Sequence, residues 1–134
     1  MKMATKKEIE VIKARFIEKY EGAVTELDFN NLYELVLAVM FSAQCTDKRV
    51  NIITPAFFAK YPDVVSLAQA ELADVKALLN SCSFFNNKAK NCIAMAKKVL
   101  DEYGGEIPLD EKGLMSLAGV GQKTAHVVLI EYTG

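Results

Sequence analysis

The chain has 134 residues, 51% hydrophobic and 25% charged, with a formal net charge of -1. A domain of this size buries roughly two thirds of its unfolded surface, so no disulfide is needed, and the composition excludes a disordered or fibrous protein. No apolar run reaches the ~20 residues of a spanning helix, since LYELVLAVMF at 32–41 is short and carries Glu34, and the near-zero net charge excludes a global attraction to nucleic acid.

In chain order, the opening MKMATKKEIEVIK is basic and then amphipathic. It lacks the uninterrupted apolar stretch and cleavage site of a secretory signal, so a cytoplasmic protein with no membrane partner is expected. Ile9, Ile12, Phe16 and Tyr20 share one face of a first helix. Residues 32–43 are apolar nearly all round, which predicts a central helix covered on several sides and capped by Asn30 or Asn31. Asp47 opens the next helix, and Pro55 should kink or end it unless a new helix begins there. Shorter helical pieces cover 63–80. Ala89, Cys92, Ile93, Ala96, Val99, Leu100 and Tyr103 form the apolar face of another helix, which Gly104 and Gly105 close. Asp110 caps a piece at 111–117, and the last helix runs from Gln122 to Tyr132. Strand alternation is absent. The expected fold is therefore all-α, a compact bundle of seven or eight short helices around one core.

Three cysteines, Cys45, Cys82 and Cys92, are widely spaced with no Cys-x-x-Cys pair. They read as reduced, mostly buried small hydrophobes, not as metal ligands. Between Val75 and Leu100 stand Lys76, Lys88, Lys90, Lys97 and Lys98 with no acidic residue. Any DNA surface would be a local patch of this kind, the alternative being a solvated helix face.

Residues 117–121, LAGVG, form a tight connection between two helices, and its glycines can take positive φ and bring the backbone close to an outside group. Consecutive N–H groups there and at the following helix start would cradle an anion such as a DNA phosphate. The wider pattern, L-x-G-V-G-x-K-T-A followed by an apolar helix, goes beyond a plain turn.

Three stretches together, FSAQCTD (41–47), FFNNKAKN (84–91) and LAGVGQKTAHVV (117–128), resemble the endonuclease III branch of the helix-hairpin-helix DNA glycosylases over nearly the whole chain. The resemblance implies an endonuclease III-like fold with a helix-hairpin-helix motif. It implies a base-excision repair enzyme that removes oxidised pyrimidines from damaged double-stranded DNA and nicks the abasic strand. A stacked base cannot be attacked at its sugar, so such an enzyme rotates the nucleotide out and fills the gap. By resemblance Gln44 fills the gap and Phe84, where the family often has an aliphatic residue, wedges the opposite strand. Asn86, Lys88, Gly119, Val120, Gly121, Gln122 and Thr124 complete the implied DNA-binding set. Lys123 is the implied nucleophile, held by rigid backbone at a fixed distance from the phosphate that the hairpin grips. The helix N-terminus disfavours a further positive charge, which favours the neutral amine. Attack on C1′ would give an imine and then β-elimination at the 3′ phosphate. Asp47 is implied as a carboxylate near the lysine, its alternative being a helix cap. Backbone carbonyls of Met115, Leu117 and Val120 are implied as holders of a hard cation.

The chain also departs from the family. Ala118 replaces a usual proline, which loosens the turn, and His126 stands where asparagine is frequent and receives no role. No aspartate follows Lys123, and the cysteines do not match the spacing of a 4Fe-4S cluster. The expectation is thus the N-terminal part of a longer enzyme, without cofactor itself, whose complete relative carries the cluster. Such a part would bind DNA weakly, show little activity and self-associate through uncovered apolar surface, whereas the complete enzyme is expected as a nucleoid-associated monomer. Two other readings are a non-enzymatic helix-hairpin-helix module that grips duplex DNA without sequence preference, and a purely structural helical interaction domain.

Overall fold

Several helix starts follow the local capping chemistry in this computed structural model, which describes residues 26–133. The expected first helix, with Ile9, Ile12, Phe16 and Tyr20, lies outside the described residues. Helix α1 (Leu32–Ser42) starts at Asn31, whose side chain accepts the Glu34 N–H at 2.9 Å; Asn31 is therefore the cap, and Asn30 instead donates to the Glu34 carboxylate. Helix α2 (Asp47–Lys60) is capped by Thr46, so Asp47 is its first residue, not its cap. Helices α3 (Val64–Ala68) and α4 (Leu72–Leu79) fill the 63–80 region, the first through a reciprocal capping box between Asp63 and Ser66. Helix α5 (Phe85–Tyr103) ends at left-handed Gly104, with the Gly105 N–H turned back onto the Val99 carbonyl. Asp110 caps α6 (Glu111–Met115), which is shorter than expected, and α7 (Gln122–Thr133) follows the hairpin.

Pro55 neither ends α2 nor starts a new helix. It is exposed, while Val50, Thr54 and Phe57 hold the opposite face in the core. Burial of that face offsets the lost hydrogen bond.

Helix α1 is the axis of the fold. Leu35, Val36, Leu37, Ala38 and Phe41 are fully buried, and α2, α5 and α7 pack around it. A strip this apolar can only be stable when covered on several sides, at roughly 1.5–3 kcal/mol per buried large side chain. Phe41 meets Phe57 of α2 edge-on, with ring centroids 5.1 Å apart. Helices α3 and α4 cover the far side of α5, and α6 packs on α7. Among the described residues there are seven helices and no strand, and no helix is long and apolar enough to cross a membrane. The consequence for function is positional: the α1–α2 turn, the α4–α5 turn and the α6–α7 hairpin all border elements packed on α1 or α5.

Candidate active site

The α1–α2 turn carries Gln44. Ser42 closes the last turn of α1 by donating its hydroxyl to the Val39 carbonyl at 2.7 Å, and the Cys45 N–H returns to the Ser42 carbonyl at 3.1 Å. Between them Gln44 is exposed with φ of 58°. The α4–α5 turn repeats this device: Phe84 also has φ of 58°, and the residue is 63% exposed. Left-handed backbone costs an ordinary L-residue roughly 1–2 kcal/mol. These are the only two such non-glycine residues among the described ones, and both were singled out from the sequence as base-stack residues. Asn86, in the first turn of α5, is exposed beside Phe84.

Lys88 departs from expectation. Its side chain is buried, and its ammonium donates to the carbonyls of Phe41 at 2.8 Å and Ala43 at 2.6 Å, with Cys82 Sγ 3.6 Å away. A DNA phosphate cannot compete for an amine already enclosed by carbonyls, so Lys88 is not a DNA contact here. The lysine patch divides accordingly. Lys90 and Lys97 are exposed one above the other on α5, whereas Lys98 places its amine on the Ser116 carbonyl at 2.9 Å and near Glu102.

Cys82 and Cys92 are buried and Cys45 is half-buried, all as free thiols. Burial pushes the Cys82 thiol up to about 11 and that of Cys92 up to about 12, so both stay protonated at neutral pH and neither is a nucleophile. Among the described residues no three His, Cys, Asp or Glu side chains converge as metal ligands.

The hairpin is a β-turn in which the Val120 N–H donates to the Leu117 carbonyl at 3.1 Å and Gly119, third in the turn, has φ of 80°. A Cβ at Gly119 would lie 2.9 Å from Asn91 Cβ and 3.0 Å from Met40 Cε, so this glycine is required by backbone conformation and by packing on α5 and α1. Gly121 differs from expectation in having no positive φ, and a Cβ there would meet nothing within 4 Å. Nothing among the described residues accounts for that second glycine; an approaching outside group would.

Supports missed in the sequence hold the hairpin from behind. Tyr103 Oη and Ser116 Oγ are 2.8 Å apart, and Lys98 grips the Ser116 carbonyl from the same helix. His126 is buried, with Nε2 3.1 Å from the Glu111 carboxylate, which joins the two helices flanking the hairpin; the contact has ion-pair distance although Nε2 lacks hydrogen-bond geometry. A lone histidine four residues into an apolar helix gave no local sign of this. The carbonyls of Met115, Leu117 and Val120 are backbone oxygens of the type a hard cation prefers. The Leu117 oxygen already accepts the Val120 N–H, however, and the Lys98 ammonium occupies the intervening Ser116 carbonyl.

Helix α7 starts immediately behind this turn, its first α-helical hydrogen bond running from Ala125 N–H to the Gly121 carbonyl at 3.0 Å. Gln122 and Lys123 are exposed in its first turn and Thr124 is half-buried. Lys123 is thus carried two residues past the open side of Gly121, on backbone fixed by the hairpin. Asp47, half-buried, accepts the Glu26 N–H at 2.9 Å and ties the segment before α1 to α2.

The chain is similar to endonuclease III of Synechocystis, with 42% identity over 99% of this chain and 61% of that protein, and to endonuclease III of Bacillus subtilis, with 39% identity over 95% and 58%. It spans about three fifths of the length of these relatives. A solved structure of a trapped endonuclease III-DNA covalent intermediate superposes with a TM-score of 0.77 at 37% identity, covering 95% of this chain and 60% of that one. A thermostable thymine-DNA glycosylase, at 20% identity and a TM-score of 0.72, shares the fold. The family profile of the HhH-GPD superfamily base excision DNA repair proteins matches residues 37–129, about two thirds of the sequence, and the chain belongs to that superfamily.

Proposed function

We propose that the protein, in its complete form a monomer, is a base-excision repair DNA glycosylase with AP lyase activity, acting on oxidised pyrimidines in chromosomal DNA in the cytoplasm. The observation that carries this reading is the placement of Lys123 in the first turn of α7, directly behind a hairpin whose Gly121 leaves its outer side open. Backbone N–H groups of Gly119 and Gly121, with Gln122 and Thr124 beside them, receive a phosphate at the helix N-terminus, while the buried Val120 spends its N–H on the Leu117 carbonyl and shapes the turn. Gln44 and Phe84, exposed and left-handed, enter the base stack, the first replacing the extruded nucleotide and the second parting the opposite strand, with Asn86 alongside.

The chemistry then falls to Lys123. Its neutral amine forms a bond to C1′ as the glycosidic C–N bond breaks, and the bonding pair leaves on the base, which takes up a proton. Opening of the sugar ring gives the imine between Nζ and C1′. Loss of a C2′ proton expels the 3′ phosphate and cuts the strand by β-elimination. No step is assigned to a metal or iron-sulfur cluster.

Borohydride reduction in the presence of abasic-site duplex tests this reading. The full-length protein is expected to give a covalent adduct that Lys123→Ala removes. An undiminished adduct in that variant overturns the assignment, and lesion-blind binding with no adduct in the unmodified protein would instead favour a non-enzymatic helix-hairpin-helix module.

A further inference from the structure

We propose that Lys88 is a positioning residue that sets Gln44 and Phe84 at a fixed separation so that both enter the base stack together; this rests on the repair reading above. An ammonium has three protons to donate. Lys88 has three acceptors around it, the Phe41 carbonyl at 2.8 Å, the Ala43 carbonyl at 2.6 Å and Cys82 Sγ at 3.6 Å. The two carbonyls lie at the C-terminal end of α1, where the helix dipole is negative and a cation is favoured. The Ala43 oxygen belongs to the peptide unit that joins Ala43 to Gln44. Holding it fixes the plane from which the left-handed Gln44 projects.

The same residue holds the other turn through its main chain. Its N–H donates to the Phe84 carbonyl at 3.1 Å, the first α-helical bond of α5, and Phe84 has no side-chain cap. Cys82, two residues before Phe84, adds a bond from its thiol to the Phe41 carbonyl at 3.3 Å. Both left-handed residues are therefore fastened to one lysine, one by its amine and one by its N–H. The stem between them is a short aliphatic chain enclosed in the core. Neither turn contains a glycine to relieve its conformation, so the fastening is also what keeps the two residues left-handed.

The consequence is cooperative insertion. If the two turns moved independently, the gap left by an extruded nucleotide would be filled on one strand without the other being parted. A misplacement of about 1 Å in such a constellation can cost up to about 100-fold. Lys88→Met keeps the stem and removes the donors, whereas Lys88→Arg keeps charge and donors but moves them outward.

The test compares the full-length protein with Lys88→Met and Lys88→Arg, scored by circular dichroism for folding. Each is titrated into undamaged duplex and into a duplex with a tetrahydrofuran abasic analogue opposite 2-aminopurine. The folded variants are expected to bind undamaged duplex unchanged, to lose about tenfold or more of the preference for the abasic duplex, and to lose the 2-aminopurine fluorescence rise. They should still form the borohydride adduct with single-stranded abasic DNA, where no stack has to be entered. Full retention of the preference and fluorescence in a folded variant overturns the role of Lys88 while leaving the repair reading intact. An unmodified protein without lesion preference or adduct overturns the repair reading itself. A measurement needing no variant is the NMR signal of the lysine ammonium groups: a slowly exchanging Lys88 ammonium is expected to persist in the abasic complex, and its loss on binding overturns the proposal.

Discussion

The hairpin and the pair of turns at Gln44 and Phe84 solve one problem in opposite ways. All contain left-handed backbone. At Gly119 the chain uses glycine, because the turn must also approach Asn91 and Met40 too closely for a Cβ. At Gln44 and Phe84 it places full side chains in the same conformation and leaves them exposed. Strain tolerated where glycine would be cheaper implies that the side chains themselves are needed, and the buried Lys88 is the support that makes the arrangement tenable. The contrast separates a glycine kept for close packing from side chains kept for a partner.

Four substitutions can break or sharpen that contrast. Gly119→Ala meets both the positive φ and the close approach of Asn91, and urea denaturation should show a loss of about 2–4 kcal/mol. A change within about 0.5 kcal/mol would show that the hairpin yields easily. Gly121→Ala should be nearly silent in the same denaturation assay, since its Cβ enters open space, yet weaken duplex binding by about tenfold, or about 1.4 kcal/mol. Equal affinity would mean that no phosphate comes close to that position.

Gln44→Gly should raise stability by about 0.5–1 kcal/mol, because relief of left-handed strain exceeds the added unfolded-state entropy of glycine. The same variant should lose preference for abasic duplex, and a stability gain without a binding loss would refute the functional reading of the strain. Ala118→Pro has the smallest expected effect. It places proline second in a turn whose third residue is left-handed, and thermal unfolding should reveal about 0.4–1 kcal/mol of stabilisation. A lowered melting temperature would show that the Ala118 backbone does not match proline.

Much of the fold was legible locally. The all-round apolar run of α1, the amphipathic face of α5 with its two closing glycines, and the caps at Asn31 and Asp110 are set by residues within a few positions of one another. Whether Pro55 ends α2 was not legible, because its cost depends on which face of α2 meets water, and that is decided by the packing of Phe57 on α1. The hairpin and its lysine were likewise legible as a pattern. The clasp formed by Lys98, Tyr103 and Ser116 was not, since its partners stand 13 and 18 residues apart.

The sequence by itself determined the helices, their order and the placing of Lys123 behind a glycine-bearing turn, because hydrophobic period, capping and turn chemistry act over short range. Only the tertiary structure decided which lysines face outward. Lys88 and Lys123 look alike as letters, but the acceptors that enclose the first lie 47 and 45 residues away along the chain, and a charge can be buried only where the fold brings such oxygens to it.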